Sequence, residues 1–564
     1  MYVKAVHLGL ILRNIMMNNR FAGKKGIPEY WYNITADFPE MYVPSIDPAT
    51  NKSVTAESLS KIYPESLVEQ ELNTRDRFIP IPEELLKMYQ TWRPTPLVRA
   101  YNLEKYLQTK CRIFYKYEGV SPIGSHKANS AVAQAYYCKR AGFKNVVAET
   151  GAGQWGSAIS MASAFFGLNS TVFMVKNSFD SKPARRIMMQ TFGAEVLSSP
   201  TNRTSVGRDI LQKNPSFQGS LGVAIGEAVE SALNDKNTAY SLGSAMNFVC
   251  LHQTIIGSEL KNQLESLDIK PNYIISCIGG GSSFAGIAFP FLPEKVRRKW
   301  DLNFIAVESN AVPSATKGAY TYDYGDSARL TPLSKMYTLG HEFAAPVIHS
   351  GGLRYHGLSP LVSKFILDGH ATARAYSQLD IYNAAKLFAK CEGYIPAPES
   401  AHSIKAAIDV AAEHKNEEKN IIFCLTGHGF FDLAGYEKFN SGNMEDSSSP
   451  NESIRESLEK LQKSVGISAY GQETACASAV SGNTGFDSWW DKHFGGQQEE
   501  RNASFAVSTG QKAVRNDLHN VLTEKKISDA LRDNQTEIHV ARSCVITPLA
   551  QELIKRSGIG IKYE

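Results

Sequence analysis

Two side chains stand out for their chemistry, a lysine and a glutamate, each beside a turn built from small residues. Lys127 lies in Gly124-Ser125-His126-Lys127-Ala128-Asn129, after a Pro122 to Gly124 turn and at the start of a helical pattern. A lone lysine is usually a solvated surface cation. A desolvated one near a cationic neighbour loses pKa and becomes a nucleophile or Schiff-base partner, well placed here to hold a phosphorylated cofactor. Glu149 ends an apolar run and leads into Thr150-Gly151-Ala152-Gly153-Gln154. That turn, entering a helix, makes an anion nest sized for a carboxylate. A glutamate adds nothing to anion binding there, but it can carry a proton, with a pKa that rises when the site closes.

Two further turns complete the set. Gly279-Gly280-Gly281-Ser282-Ser283 exposes backbone N–H groups that can cradle a phosphate. No Gly-Lys-Ser/Thr continuation follows, so a nucleoside triphosphatase loop is not supported. Thr426-Gly427-His428-Gly429 ends another apolar run, and its neutral hydroxyl could bond a ring nitrogen without protonating it.

The elements that must position these turns alternate. Strands are expected at 113–117, 145–149, 171–175, 194–197, 273–277, 304–307 and 421–425, and helices at 82–89, 129–141, 154–166 and 183–192. Gly142, Gly167 and Gly193 stand where helix C-caps belong. Fully apolar strands alternating with helices predict a parallel sheet covered on both faces, with its sites at the carboxyl ends of the strands. The glycine-rich stretches fall there. Residues 28–64, rich in aromatics and prolines, read as a wrapping arm with little regular structure. Asn440 to Asn451 reads as a linker by composition. Beyond it, Ile454, Leu458, Leu461 and Val465 share a helical face, 536–545 alternates like a strand, and 548–556 looks helical.

The 564 residues are more than one domain's worth, and a net charge of +4 gives no reason to expect a nucleic-acid partner. Eight scattered cysteines (111, 138, 250, 277, 391, 424, 476 and 544) show no metal spacing and point to a reducing compartment. No apolar run reaches membrane-spanning length. A cytoplasmic location is expected. The N-terminus carries Lys4, Arg13, Arg20, Lys24 and Lys25 with no acidic residue before Pro28, which leaves organellar targeting open, as well as a start at Met16 or Met17.

Four stretches occur in order: Gly-Ser-His-Lys-x-Asn, Glu-Thr-Gly-Ala-Gly-Gln, Gly-Gly-Gly-Ser and Glu392-Gly393-Tyr394-Ile395-Pro396-Ala397. Together they resemble the tryptophan synthase β chains, pyridoxal-phosphate enzymes of fold type II. Tyr117 to Pro122, Trp155, Met336 to His341 and Gly351 to Gly357 are similar to the second, divergent subfamily. The resemblance implies an α/β fold of two interwoven three-layer α/β/α subdomains with mainly parallel sheets, here with a small C-terminal α+β segment. The expected organisation is an N-terminal extension (1–27), a catalytic domain (28–440), a linker (441–452) and a C-terminal accessory segment (453–564).

The resemblance also implies roles. Lys127 would bind pyridoxal phosphate covalently and shuttle the α-proton. His126, Gly279, Gly280, Gly281, Ser282 and Ser283 would hold the phosphate, with Ser283 in place of the family's usual asparagine. Asn129 would face the phenolic oxygen, Thr426 the pyridine nitrogen, and Glu392 would lie near the ring. Thr150, Gly151, Ala152, Gly153 and Gln154 would hold the substrate carboxylate, and Glu149 would manage protons on the leaving hydroxyl and the incoming indole. A monovalent cation, K+ or Na+, would bind through backbone carbonyls. The implied reaction is β-replacement, L-serine plus indole giving L-tryptophan and water via an aminoacrylate, in a homodimer.

Arg354 stands where ordinary β chains carry an aspartate. It leaves coupling to an α-chain partner open, and it could favour a more anionic substrate such as O-phosphoserine. Two alternatives remain at this stage: a serine or threonine dehydratase, and a recruited or scaffolding protein whose tail, residues 441–564, docks an unknown partner.

Overall fold

In the computed structural model, which describes residues 26–465 together with 21–22 and the short pieces 521–522, 537–540, 545–546, 554–555, 557 and 559–563, two parallel sheets divide the catalytic part of the chain. The larger runs in the order Phe21–Ala22, Leu97–Arg99, Arg112–Tyr117, Asn420–Leu425, Tyr273–Cys277, Asn303–Ser309, Ala371–Tyr376. The five strands from Arg112–Tyr117 onward are mutually parallel, and the first two pair antiparallel at the edge. The smaller sheet is Glu195–Ser199, Asn169–Val175, Asn145–Thr150, Thr238–Ser241, all parallel. The chain starts the larger sheet, leaves it at Tyr117 to build the smaller one, and returns at Tyr273, so the two subdomains are interwoven as expected.

Side-chain alternation explains the uninterrupted apolar strands. Ile274, Phe304, Ile422 and Cys424 point into one core, while Ile275, Ile305, Ile421 and Phe423 point into another on the opposite face. Helices Gln378–Glu392 and Pro398–Glu413 cover the second face with Phe388, Ile404 and Val410. Burying both faces requires apolar residues at every position, which is the pattern the sequence shows.

Helix Gln154–Phe166 has the expected limits, and the expected strands are recovered within about two residues at each end, a common disagreement for element termini. Of the parallel strands in these two sheets, Thr238–Ser241 and Ala371–Tyr376 are the two outside the expected set. Both are edge strands whose sequences, TAYS and ATARAY, lack a continuous apolar run.

The expected linker is corrected by the structure. The chain divides into units 1–470 and 471–564, and residues 441–465 belong to the first. Met444 and Ser449 are buried, and Ser449 Oγ donates to the Ala311 carbonyl at 2.6 Å. Helix Asn451–Val465 buries Ile454, Leu458 and Leu461. Polar composition misleads here because Ser449 bonds main-chain groups of the domain through both its hydroxyl and its N–H. In the second unit, Glu537–Val540 pairs with Gly560–Tyr563 and Val521–Leu522 with Val545–Ile546, both parallel. The helix expected at 548–556 lies outside the described residues except at 554 and 555, and the N-terminal extension lies outside them except at 21–22 and 26–27.

Candidate active site

Strands Arg112–Tyr117 and Asn420–Leu425 are parallel neighbours, and the turns beyond their carboxyl ends are tied together. The His126 N–H donates to the Thr426 carbonyl at 2.9 Å, and the His428 N–H donates to the Gly124 carbonyl at 3.1 Å. Lys127, immediately before helix Ala128–Arg140, is thereby fixed relative to Thr426. Strand Tyr273–Cys277 adds the glycine loop 279–283, and Asn145–Thr150 of the smaller sheet brings Glu149 and Thr150. These strand ends surround one cavity of about 70 Å3, lined by Lys127, Glu149, Thr426 and loop 279–283 among others.

The glycine loop is shaped by close approach. A Cβ on Gly279 would lie 2.3 Å from the Gly352 carbonyl oxygen, and one on Gly280 would lie 2.2 Å from Ser244 Oγ. Only glycine lets the backbone reach this position. His126 Nδ1 lies 3.4 Å from the Thr426 carbonyl oxygen and Nε2 lies 3.3 Å from Ser282 Oγ. A carbonyl can only accept, so Nδ1 carries the hydrogen. Burial, with Lys127 beside it, lowers the His126 pKa to about 3, and the ring stays neutral. Ser283 Oγ donates to the Cys277 carbonyl at 3.0 Å, so its hydroxyl hydrogen is turned back into the strand end.

Lys127 is half-buried, with Nζ 3.4 Å from the Gly243 carbonyl oxygen. Burial lowers its pKa, opposed by Glu149, Glu399 and Cys277. Glu149 is buried, and its Oε2 accepts the Tyr240 hydroxyl at 2.7 Å. Burial raises its pKa to about 7, while the Tyr240 hydroxyl, backbone N–H groups and Lys127 pull the other way. A second, larger cavity of about 360 Å3 lies alongside: Tyr355 lines both, and Tyr240 lines the second with Ile225, Val229 and Leu242.

Thr150 Oγ1 accepts the Gly153 N–H at 3.1 Å and the Gly156 N–H at 3.2 Å, which closes the first turn of helix Gln154–Phe166. Thr150, Gly151, Ala152 and Gln154 line the cavity. Gly153 lies outside that lining, and its N–H is engaged by Thr150. Its φ of +92° and the 2.6 Å from its would-be Cβ to Arg185 Cβ make it a turn residue.

Three other candidates also lie outside the cavity lining. The Asn129 side chain accepts from Arg93 Nη1 at 2.9 Å and donates to Glu118 and Gln253 at 3.1 Å each, all buried away from the cavity lining. Glu392 Oε1 accepts the N–H groups of Asn102 and Leu103 at 3.0 Å each, at the start of helix Tyr101–Leu107. Arg354 donates from Nη2 to the Ala345 carbonyl at 2.9 Å and is not in the cavity wall.

The glutamate of this later stretch that does line the cavity, with Glu149, is Glu399. Its Oε1 accepts the Gly352 N–H at 2.8 Å, and its buried Oε2 has no hydrogen-bond partner among the described residues. It follows Glu392 by seven residues in the same stretch, at the start of helix Pro398–Glu413. A helix start at the carboxyl edge of the sheet was the signal that could have chosen between them. Ser400, the next residue, places Oγ 2.7 Å from Thr426 Oγ1 and accepts the Gly427 N–H at 3.1 Å. Among the described residues no cluster of three or more His, Cys, Asp or Glu side chains could hold a metal ion, and no helix is long and apolar enough to cross a membrane.

A family described as pyridoxal-phosphate dependent enzyme matches residues 88–427. The chain is 55% identical over 412 residues to tryptophan synthase beta chain 2 of Thermotoga maritima, covering 73% of this chain and 97% of that one. It is 51% identical to tryptophan synthase beta chain 2 of Pyrococcus furiosus, covering 74% of this chain and 94% of that one. The protein of the same description from Aquifex aeolicus is 54% identical, covering 74% of this chain and 98% of its own.

Proposed function

The chain belongs to the pyridoxal-phosphate-dependent enzymes and, among them, to the tryptophan synthase β chains, and from that premise we propose how its residues divide the work of joining L-serine to indole. The enzyme condenses L-serine with indole to L-tryptophan and water, with pyridoxal phosphate as cofactor. The residues present fit that cofactor. Loop 279–282 is a backbone cradle that a Cβ at Gly279 or Gly280 would fill, as a phosphate nest requires. Lys127 supplies an amine of lowered pKa for the aldehyde. Thr426 offers a neutral hydroxyl for the ring nitrogen, and Ser400 steadies it.

When bound, pyridoxal phosphate draws electron density from the amino acid's α-carbon, which permits loss of the α-proton and of the β-hydroxyl. The amine of Lys127 takes the α-proton and returns it at the end. Thr150, Gly151, Ala152 and Gln154 orient the carboxylate of serine at the start of their helix. Glu149, titrating near 7, gives its proton to the departing hydroxyl, which leaves as water. It then takes up the proton that indole releases as the new carbon–carbon bond forms. Tyr355, shared by the site and the largely apolar second cavity, puts an apolar approach for indole beside Glu149.

The observation that carries this division is that Lys127 and Glu149, from different subdomains, line one cavity together with the glycine cradle. The test is the enzyme with pyridoxal phosphate and L-serine, with and without indole, assayed for tryptophan and pyruvate. Tryptophan dominates when indole is present. Pyruvate as the main product under those conditions would make the chain a dehydratase in practice.

A monovalent cation on backbone carbonyls, a homodimer and a cytoplasmic location come with the family resemblance. Replacing K+ and Na+ by a bulky organic cation tests the first, sedimentation the second and cell fractionation the third. Docking of a partner by the C-terminal unit is tested by affinity capture with and without residues 471–564.

A further inference from the structure

Glu149 must be acid at one moment and base at the next, so the orientation of its carboxyl group and its proton affinity both matter to the reaction. Glu149 and Tyr240 stand on paired strands, Asn145–Thr150 and Thr238–Ser241, in a register that aligns Tyr240 with Val147 and Ser241 with Ala148. The Tyr240 hydroxyl reaches Glu149 Oε2 at 2.7 Å, and both side chains are buried. The Tyr240 ring is held in turn: Tyr63 packs against it with centroids 5.8 Å apart, and Phe248 packs on Tyr63 at 5.6 Å. A hydroxyl with so little freedom gives a fixed direction to the one oxygen it touches.

We propose that Tyr240 is a positioning residue for Glu149: its hydroxyl commits Oε2 to the protein and leaves Oε1 as the oxygen that exchanges protons with substrate. This rests on the assignment of Glu149 as the proton carrier. A phenol cannot itself take over that role here, because burial and the Glu149 charge hold its pKa well above 10, so Tyr240 donates its hydrogen bond without giving up its proton. The other groups that face Glu149 are the backbone N–H groups of Gly243 and of Glu149 itself and Lys127 at the start of its helix, which all favour the carboxylate, and the hydroxyls of Tyr63 and Tyr355. Tyr355 is turned away, donating to the Gly325 carbonyl at 3.3 Å. Among the side chains that face Glu149, Tyr240 is the one with a direct hydrogen bond to a Glu149 oxygen.

The test is Tyr240→Phe in the cofactor-loaded enzyme, with Glu149→Gln, the double variant and Tyr63→Phe alongside. A donor to the ionised form lowers a carboxyl pKa, so its loss moves the ionisation of Glu149 upward. The pH profile of tryptophan formation in Tyr240→Phe is expected to shift to higher pH by about half a unit or more, with kcat reduced roughly tenfold and the KM for serine within about twofold of wild type. Tyr63→Phe removes a neighbouring buried hydroxyl with similar packing and leaves the profile in place. Because Tyr240 acts through Glu149, the double variant is expected to be no slower than Glu149→Gln alone.

An unshifted profile in Tyr240→Phe, or a double variant slower by the full product of the two single effects, overturns the proposal. Should Tyr240→Phe load cofactor poorly, the comparison of Glu149→Gln with the double variant, normalised to bound cofactor, still decides it. A Glu149→Gln enzyme with wild-type kinetics would instead refute the proton-carrier assignment, which separates the two failures.

Discussion

Asn129 Nδ2 donates to Glu118 Oε2 at 3.1 Å, and the two are joined by Arg93, whose Nη1 reaches both Glu118 Oε2 and Asn129 Oδ1 at 2.9 Å. This is the inner end of a buried network. Arg93 also pairs with Glu259, which takes Lys116, and none of these four charged side chains is exposed. Against burial, which pushes it up, Arg93 and Lys116 hold the Glu118 carboxyl down at about 2. Gln253 extends the network from Asn129 to the His126 carbonyl, so it reaches the residue before Lys127. Its place is under the site, where it holds the lysine turn.

Asn129→Ala should therefore act on stability before it acts on chemistry. Removing the amide leaves Gln253 Oε1 and part of Arg93 without a buried partner, at a cost of about 2 kcal/mol or more. Denaturant unfolding of the cofactor-loaded variant measures this. A direct contact to the cofactor would instead change its absorbance at unchanged stability.

Lys127→Ala should bind pyridoxal phosphate without a covalent link. Borohydride reduction followed by peptide mapping should label Lys127 in the wild type and leave the variant unlabelled. Label retained on the variant would move the attachment elsewhere.

Thr426→Asp should depress tryptophan formation on the order of tenfold or more, because a carboxylate favours a protonated ring nitrogen where the hydroxyl keeps it neutral. Ser400 lies 2.7 Å from Thr426 Oγ1 and would bond the new carboxylate, so the change is accommodated sterically. Stopped-flow absorbance should show a different set of intermediates. Unchanged kinetics would count against a neutral ring.

Much of this site was legible because its signals are local. A strand, a glycine turn and a helix start lie within about ten residues at each of Lys127, Glu149 and Gly279, and periodicity reads such units directly. Asn129, Glu392 and Arg354, which lie outside the cavity lining, show the opposite case. Their partners, Arg93, Asn102 and Ala345, are supplied by other elements, and one helical step decides between the cavity and the protein interior. Glu392 and Glu399 are both buried glutamates in one stretch, and only the turn between their two helices sends the second to the cavity.

Glu71 should make the enzyme less stable as pH rises. Burial raises its pKa to about 8, although it accepts the Phe248 N–H at 3.1 Å. Unfolded, the group titrates near 4.5. Between those values the folded state keeps a proton that the unfolded chain has released, so stability falls from about pH 4.5 to about pH 8. Glu149 and Glu308, each raised by burial to about 7, add to the same slope. Glu71→Gln keeps an acceptor for Phe248 and should flatten the decline in Tm between about pH 5 and pH 8. A decline as steep as in the wild type would show that Glu71 does not contribute.

The boundary of the catalytic unit is open to a direct test, because two truncations fall on either side of residues that the domain buries. Ending the chain after Asn440 removes Met444, Ser449, Ile454, Leu458 and Leu461, all buried against the catalytic unit. It also removes Ser457, whose backbone and hydroxyl lie so close to Gly340 that a Cβ there would be 2.8 Å from Ser457 Oγ. Burying a leucine-sized side chain contributes about 1.5–3 kcal/mol, so losing several of them, and uncovering what they cover, is a large fraction of a typical domain's stability. Ending the chain after Tyr470 removes none of these contacts. The longer product should match the full chain in Tm, cofactor loading and tryptophan formation, while the shorter one should be markedly less stable or insoluble. Equal stability of the two would place the boundary at Asn440, and loss of cofactor binding by the longer product would make residues 471–564 part of the catalytic unit.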